Sequence, residues 1–503
     1  MKYYLGLDIG TFESKGILSD GAGNIIASAA RPHKMLVPQA GWAEHRANED
    51  WWDDFTFITR KLIADSGVKP ADIKAVATSG IGPCMLPVNA KGEPLMNAVL
   101  YGVDTRAAKE IDDLNAEIGA DRILEYCGNA LTSQSIGPKI LWLKNNRPEI
   151  YAATHKVLTC SSYLVFRLTG EYVIDHYTAA NNTPIYSAEK LAWSDELTKG
   201  IIPLGKLPDC KWTTDIAGEV TPEAARETGL AVGTPVTCGT IDAAAEALSV
   251  GVLNPGDMML MYGSTIFIIA LASARVRDAR LWYAPWLFKG QHASMAGLAT
   301  SGTLTHWFRE NLARELDPAD AIIKLSAEAA ASPAGANGIT MLPYFSGERT
   351  PIHDTDAKGM IFGLNLTHTR GDLFRAFLES IAYGTNHVFE TYDDVGESPK
   401  NIFAVGGGTK NQAWAQATSD VSGKTQIIRT KTMGASYGNA FLAAVAVGDA
   451  AVSDIAKWNP VAAEFKANAA TAELYARHYK TFRELYERNK DLMKAVNTVQ
   501  DAI

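Results

Sequence analysis

Tyr3-Tyr4-Leu5-Gly6-Leu7-Asp8-Ile9-Gly10-Thr11 opens the chain as an apolar run that ends on an acid, a glycine and a hydroxyl residue. Gly16 to Leu18 resumes the apolar pattern, Gly21-Ala22-Gly23-Asn24 supplies turn chemistry, and Ile25-Ile26 follows. The pattern predicts a meander of strands joined by tight turns. It recurs about one half-chain later as Met258 to Tyr262, Gly263-Ser264-Thr265 and Ile266 to Leu271. The recurrence implies two halves that share an opening motif.

Working outward, helical patterns alternate with strand-like segments such as Ile73 to Thr78 and Lys156 to Cys160, the order of α/β domains. Thr234 to Cys238 reads as a short strand turning at Gly239, and Ala243 to Leu248 resumes helical composition, which puts Asp242 at a strand-to-helix junction. From Ala469 to Val496 a long helix is expected, with Tyr475, Tyr479, Phe482 and Tyr486 on one face as core packing. A chain of 503 residues exceeds what one hydrophobic core supports, so two domains are expected.

Composition narrows the function classes. The chain is 47% hydrophobic and 20% charged, as packed globular proteins are. Its net charge of -9 argues against nucleic acid or an anionic membrane as the main partner. Five scattered cysteines without a CxxC pair fit reduced, buried thiols, and the cytoplasm is the expected location. Met1 to Gly10 lacks the zones of a secretory signal, and apolar stretches such as Phe441 to Val447 fall short of a membrane span.

Three glycine turns follow apolar strands: Asp8 to Thr11, Gly263 to Thr265, and Gly406-Gly407-Gly408-Thr409 after Ile402 to Val405. Such turns let backbone N–H groups approach phosphate oxygens, although each alone is also an ordinary structural turn. Gly200 to Lys206 has GxxxxGK spacing, but Leu207 replaces the metal-binding hydroxyl; Gly423-Lys424-Thr425 lacks the first glycine. Both are read as coincidences. Asp8 and Asp242 each sit near a glycine turn after a strand, where aspartate is also a common turn former. Phosphoryl transfer gives them a joint rationale, one holding magnesium and the other accepting a proton from the attacking hydroxyl. The histidines show no metal-ligand spacing, and there is no GxSxG or HExxH.

These residues together resemble the FGGY carbohydrate kinases, and within them the xylulose kinases. The resemblance runs from Tyr4 to about Tyr486 and includes Gly6 to Thr11, Pro138 to Trp142, Leu168-Thr169-Gly170-Glu171, Gly239 to Asp242, Ser346 to Pro351, and Gly406 to Gly408. It implies two actin-like, ribonuclease-H-like domains with an interdomain cleft: 1–248 holding the sugar and 249–503 holding ATP. By the same resemblance Asp242 is the general base, Asp8 and Asp242 lie on the magnesium side, and Gly10 and Thr11 form the first phosphate loop. Gly263, Ser264 and Thr265 form the second loop, and Gly407, Gly408 and Asn411 match the adenosine loop.

Departures gather around the sugar. Ile81, Gly82 and Pro83 stand where a Gln-Met-His run is typical, Gly102 lies near the place of a tryptophan, and Ala243 replaces an asparagine. Losing polar contacts should change the preferred sugar. Asp104 and Arg106 are the remaining polar candidates for the sugar, with a surface ion pair as the alternative. Phe12 replaces a small hydroxyl residue of the first loop. The resemblance implies an ATP- and Mg²⁺-dependent kinase acting on a small sugar or polyol, a xylulose-like ketopentose favoured, and by analogy a homodimer. Two other classes stay open: an inactive nucleotide- or sugar-binding regulator of the same fold, and an actin-like filament or chaperone ATPase.

Overall fold

Burial on both faces marks Tyr3–Ile9 as an interior strand: Leu5, Leu7 and Ile9 project to one side, Tyr4 and Gly6 to the other, and none of the first four is more than 1% exposed. In the computed structural model, which describes residues 1–500 and the side chains of 1–497, this strand pairs antiparallel with Glu13–Asp20, which pairs in turn with Ile25–Pro32. On its other edge it pairs parallel with Ile73–Gly80, and beyond that strand lie Pro235–Thr237 and Ile216–Glu219. Thr240–Ile241 continues the Pro235–Thr237 line and pairs parallel with Ser79 and Gly80. The meander expected from the opening residues is present, and the helix at the Asp242 junction spans Asp242–Ser249.

Two helices, Asp53–Ser66 and Cys160–Thr169, cover one face of this sheet, where Phe55, Ile58, Leu62, Tyr163 and Leu164 pack on Leu5, Leu7 and Ile9. The segment Lys156 to Cys160 is thus only partly a strand, since Cys160 already opens a helix. Helices Asp242–Ser249 and Ala435–Ala446 cover the other face. The second of these approaches so closely that side chains would not fit between the backbones. A Cβ on Gly6 would fall 2.0 Å from the Ser436 carbonyl oxygen, and one on Gly438 would fall 1.9 Å from that of Ala245.

That packing explains the division of the chain. One compact unit comprises Met1–Leu253, Ala274–Ser294 and Met433–Pro460; the other comprises Asn254–Ser273, Met295–Thr432 and Val461–Ile503. A single cut at 248/249 does not describe these units, because the Ala435–Ala446 helix buries its apolar surface on the first sheet despite lying far along the chain.

In the second unit, Asp257–Tyr262 pairs antiparallel with Ile266–Ala272 and parallel with Asn401–Val405. Gln426–Arg429 and Val461–Phe465 extend the sheet. The order strand, glycine turn, antiparallel strand, then a parallel neighbour repeats that of the first unit. Helix Arg370–Asp394 starts with a capping box between Thr369 and Asp372. The final helix, Ala472–Gln500, buries Tyr475 and Phe482 against Leu342, Tyr344 and Tyr383, with Tyr479 and Tyr486 at the margin, so the aromatic stripe is core. All five cysteines are free thiols, and only Cys210 is not fully buried. No helix among the described residues is long and apolar enough to cross a membrane.

Replacing Gly438 by alanine should force the two helices apart. Overpacking of this kind costs about 1–3 kcal/mol, so Gly438→Ala should melt at lower temperature than the wild type. Gly205→Ala, where a Cβ meets open space, should melt unchanged. Equal melting of the two variants would contradict the packing described.

Candidate functional site

Register in the first sheet decides which side chains meet. Asp8 and Thr240 both pair with Ser79, from opposite sides of the same strand, so Asp8 and the residue that begins the next helix, Asp242, emerge at the same end of neighbouring parallel strands. That end is where open α/β sheets bind ligands. Gly239, with φ of +77°, makes the turn that leads into Thr240. Thr240 is then fastened through its hydroxyl, which donates to the buried Asp175 carboxylate at 2.7 Å, while Thr213 donates to the same oxygen at 2.8 Å.

The Ser79 hydroxyl donates to Asp8 Oδ1 at 2.7 Å, and the Ala243 amide donates to Asp242 Oδ1 at 2.7 Å. Both aspartates keep some accessible surface yet are surrounded by protein on most sides, as at the floor of a recess. Burial raises the Asp8 pKa to about 6 against the opposing effects of Ser79 and Lys15. Burial also pushes Asp242 well above the usual carboxylate range, and the charges of Asp8 and Glu246 add to the rise. Glu246, one helical turn after Asp242, is raised to about 7 by burial and by Asp8, with Lys15 opposing. Three acids thus share one neighbourhood.

The Gly10–Thr11 turn is held from outside by two histidines. His33 Nε2 donates to the Gly10 carbonyl at 2.9 Å, and His45 Nε2 donates to that of Thr11 at 3.1 Å. Burial opposes charge on His33, but its hydrogen bonds to Asp54 and to the Gly10 carbonyl and the charges of Asp54 and Asp50 together outweigh it and the pKa rises; burial and the neighbouring His33 push His45 down to about 4. Thr11 Oγ1 lies 3.1 Å from the Tyr101 hydroxyl, and Tyr101 is near enough to feel the Asp242 charge. Phe12 is 62% exposed, so its replacement of a hydroxyl residue leaves the turn intact.

Ile81, Gly82 and Pro83 prolong the central strand between the two acids. The Ile81 amide donates to the Ile9 carbonyl at 2.7 Å, and a Cβ on Gly82 would meet the Ile241 side chain at 2.7 Å. Asp104 and Arg106 are placed differently from the expectation. Their side chains have no exposed surface and form an internal clamp: Asp104 Oδ2 accepts from the Ala43 amide and the Arg106 guanidinium, which also donates to Glu44 and lies 3.9 Å over the Trp42 ring. The pair is therefore neither a surface bridge nor a lining of the recess. It braces the segment just before it, where Lys139 donates to the Tyr101 carbonyl at 2.8 Å and the Gly102 amide donates to Gln134 Oε1 at 3.1 Å. A Cβ on Gly102 would meet Gln134 at 3.0 Å, so Gln134 takes space beside the place where a tryptophan was expected.

In the second unit the two other glycine turns emerge side by side, because Met261 and Val405 pair in parallel. The Gly263 carbonyl accepts from the Ser301 hydroxyl at 2.9 Å and the Gly302 amide at 3.0 Å, seating the Gly263-Ser264-Thr265 turn on the helix that starts at Gly302. Gly406 and Gly408 cross Tyr262 closely, where Cβ atoms would fall 2.6 Å from its carbonyl oxygen and 2.9 Å from its Cβ. Gly407 is open to solvent, and Asn411 caps helix Gln412–Ser422 through its Oδ1 while its Nδ2 donates to Ser326. Lys206 of the GxxxxGK stretch donates to the Tyr151 carbonyl, an internal contact that accounts for it. Among the described residues no group of three or more His, Cys, Asp or Glu is arranged to hold a metal.

Ser79, Glu246, Lys15, His33, His45 and Tyr101 were not singled out from the sequence. None lies in a motif of its own, and only Ser79, at the end of the Ile73 strand, had a positional signal.

An acid whose pKa folding raises holds its proton more tightly in the native state. Its contribution to stability is complete below the unfolded value, 4.5 for Glu246, and is lost as pH rises through about 7. Glu246→Gln should therefore lose less stability than the wild type between pH ~5 and ~8, read from melts of the ligand-free protein. Identical slopes would remove Glu246 from the acid cluster.

Residues 3–249 match the N-terminal domain model of the FGGY family of carbohydrate kinases, and residues 258–447 match its C-terminal domain model. The chain is 27% identical over 503 residues to a xylulose kinase of Bacillus subtilis, covering 99% of both chains. It is 28% identical to a glycerol kinase of Clostridium perfringens, covering 97% of this chain and 99% of the other. The solved structure of a xylulose kinase from Rhodospirillum rubrum superposes with a TM-score of 0.92 at 31% identity, covering 98% of this chain and 100% of that one.

Proposed function

The chain belongs to the FGGY family of carbohydrate kinases, and from that premise we propose that Asp242 is the base for transfer of the ATP γ-phosphoryl group to a hydroxyl of a small sugar or polyol. The observation that carries the reading is the position of Asp242: a strongly upshifted carboxylate at a strand end beside Asp8, with Gly10 and Thr11 on the next turn. A base needs affinity for a proton near working pH, and burial beside other acids supplies it. As the sugar oxygen attacks the γ-phosphorus, Asp242 takes its proton, and turn amides face the charge that spreads over the phosphoryl oxygens.

Gly10 and Thr11 are assigned to the phosphates together with Gly263, Ser264 and Thr265. Gly407, Gly408 and Asn411 are assigned to the adenosine. The open surface of Gly407 and the seating of the Gly263 turn on a helix N-terminus support these roles.

The donor set fits a magnesium ion. Oxygen donors in excess of nearby cations, without a cage of three acids, match an ion held by one or two carboxylates and substrate phosphates. Asp8 and Asp242 would hold it directly or through water. When bound, the ion supplies positive charge against the phosphates and the two carboxylates.

For the acceptor, the likeness to relatives named xylulose kinase favours a xylulose-like ketopentose. The relative named glycerol kinase is equally similar in sequence, which keeps polyols in the panel. Ile81, Gly82 and Pro83 are assigned to that side beside Ile241 and Asp242, Gly82 half-buried between the buried Ile81 and Pro83, and Gln134 and Tyr101 are its nearby polar groups. Asp104 and Arg106 act from behind by bracing Tyr101 and Gly102. Free cysteines suit an enzyme working in the cytoplasm.

A coupled ADP-release assay across pentoses, hexoses, polyols and sugar acids should find an acceptor that stimulates turnover with Mg·ATP. Asp242→Asn should lower kcat at least ~100-fold, the usual size of a general-base effect, while ADP still binds. Undiminished turnover in that variant would remove Asp242 as the base, and turnover indifferent to every sugar would remove the acceptor class.

A further inference from the structure

Asn439 lies inside the Ala435–Ala446 helix with no exposed surface. Asparagine is a poor residue for a helix interior, and burying its amide is costly unless it is hydrogen-bonded. Its Nδ2 lies 2.8 Å from the Leu7 carbonyl oxygen and 2.7 Å from Ser79 Oγ. The orientation of the amide follows from chemistry, because the Leu7 carbonyl can only accept, so nitrogen must face it. The second hydrogen of that nitrogen then goes to Ser79. With its oxygen already accepting, Ser79 has one hydrogen to give, and the 2.7 Å contact with Asp8 Oδ1 is where it goes.

Asn439 Oδ1 is buried without a partner, which carries a desolvation cost. A side chain present only to fill space would not carry that cost; an amide required for its two donors would. The close approach allowed by Gly6, whose Cβ would fall 2.0 Å from the Ser436 carbonyl oxygen, brings this helix near enough for Asn439 to reach the strand.

We propose that Asn439 is a positioning residue for Asp8: by donating to Ser79 it fixes the direction of the serine hydroxyl, which then holds one carboxylate oxygen and leaves the other for the cation of the nucleotide complex. The inference rests on the reading of Asp8 as the metal-side carboxylate, and it is tested without relying on sugar turnover. Mn²⁺ binding to the full-length protein in the presence of ADP, followed by electron paramagnetic resonance, is compared for wild type, Ser79→Ala, Asn439→Ala and the volume-keeping Asn439→Leu. Outer partners of metal ligands typically matter 10–100-fold, so each folded variant should bind Mn²⁺ about 10-fold more weakly, with ADP binding in the absence of metal unchanged. Because Asn439 acts through Ser79, the double variant Ser79→Ala/Asn439→Leu should be no weaker than Ser79→Ala alone. In turnover, the Mg²⁺ needed for half-maximal rate should rise by the same factor while KM for the sugar stays constant.

Mn²⁺ affinity equal to wild type in the variants, additive losses in the double variant, or a wild type that holds no Mn²⁺ beyond what ADP carries would overturn the proposal. If no sugar is phosphorylated but the Mn²⁺ losses appear and are non-additive, the relay stands and the kinase reading falls. If sugar is phosphorylated and Mn²⁺ binding is indifferent to Asn439, the reverse holds.

Discussion

Everything at the acidic end of the first sheet depends on one strand being paired in parallel on both edges at Ser79. The backbone ladder, not any side-chain attraction, brings Asp8 and Asp242 into the same recess. Two carboxylates oppose each other there, and each also loses hydration. The sheet can hold them because the opposing energy is small against the many buried contacts behind the strands, where Leu5, Leu7, Ile9 and Val76 pack in one core. Such a recess is uneven in charge. It gains stability from whatever neutralises it, whether a proton, Lys15 or a bound cation.

How much of this was legible in the sequence follows from the range of each interaction. The strand and turn around Asp8, and the strand-to-helix junction at Asp242, are set by residues within ten positions of each other, and their pattern is plain. The partnership of Asp8 with Ser79 spans 71 positions and that of Ser79 with Asn439 spans 360, and nothing local announces either. The Ala435–Ala446 helix is apolar nearly all round, which says that it is buried but not against what. Its assignment to the first unit, against a division at 248/249, was therefore beyond a reading by periodicity.

Asp104 and Arg106 teach a related point. A polar pair in a sequence of modest charge reads as either a ligand contact or a surface bridge, and the fold chose a third use. Burying the pair required several partners at once: the Ala43 amide, Glu44, and the Trp42 and Trp142 rings, which lie 3.9 and 5.1 Å from the guanidinium. Those partners come from separate stretches of chain, so the clamp could not be foreseen from Asp-x-Arg alone. Its effect is to fix the chain next to Tyr101 and Gly102 from the inside.

The two units repeat one opening motif but not its charge. Asp8 stands two residues before Gly10, and in the second unit Met261 stands two residues before Gly263, at the same place on the equivalent strand. The difference has a physical consequence. A turn whose amides are to meet phosphate oxygens works best without a carboxylate at its root, and the second copy has none. The first copy keeps its acid and surrounds it with Asp242 and Glu246, so an anion approaching Gly10 and Thr11 is repelled unless a cation accompanies it. One recurring backbone motif thus yields a turn without a carboxylate at its root and a turn with one, and only the second kind gathers further acids around it.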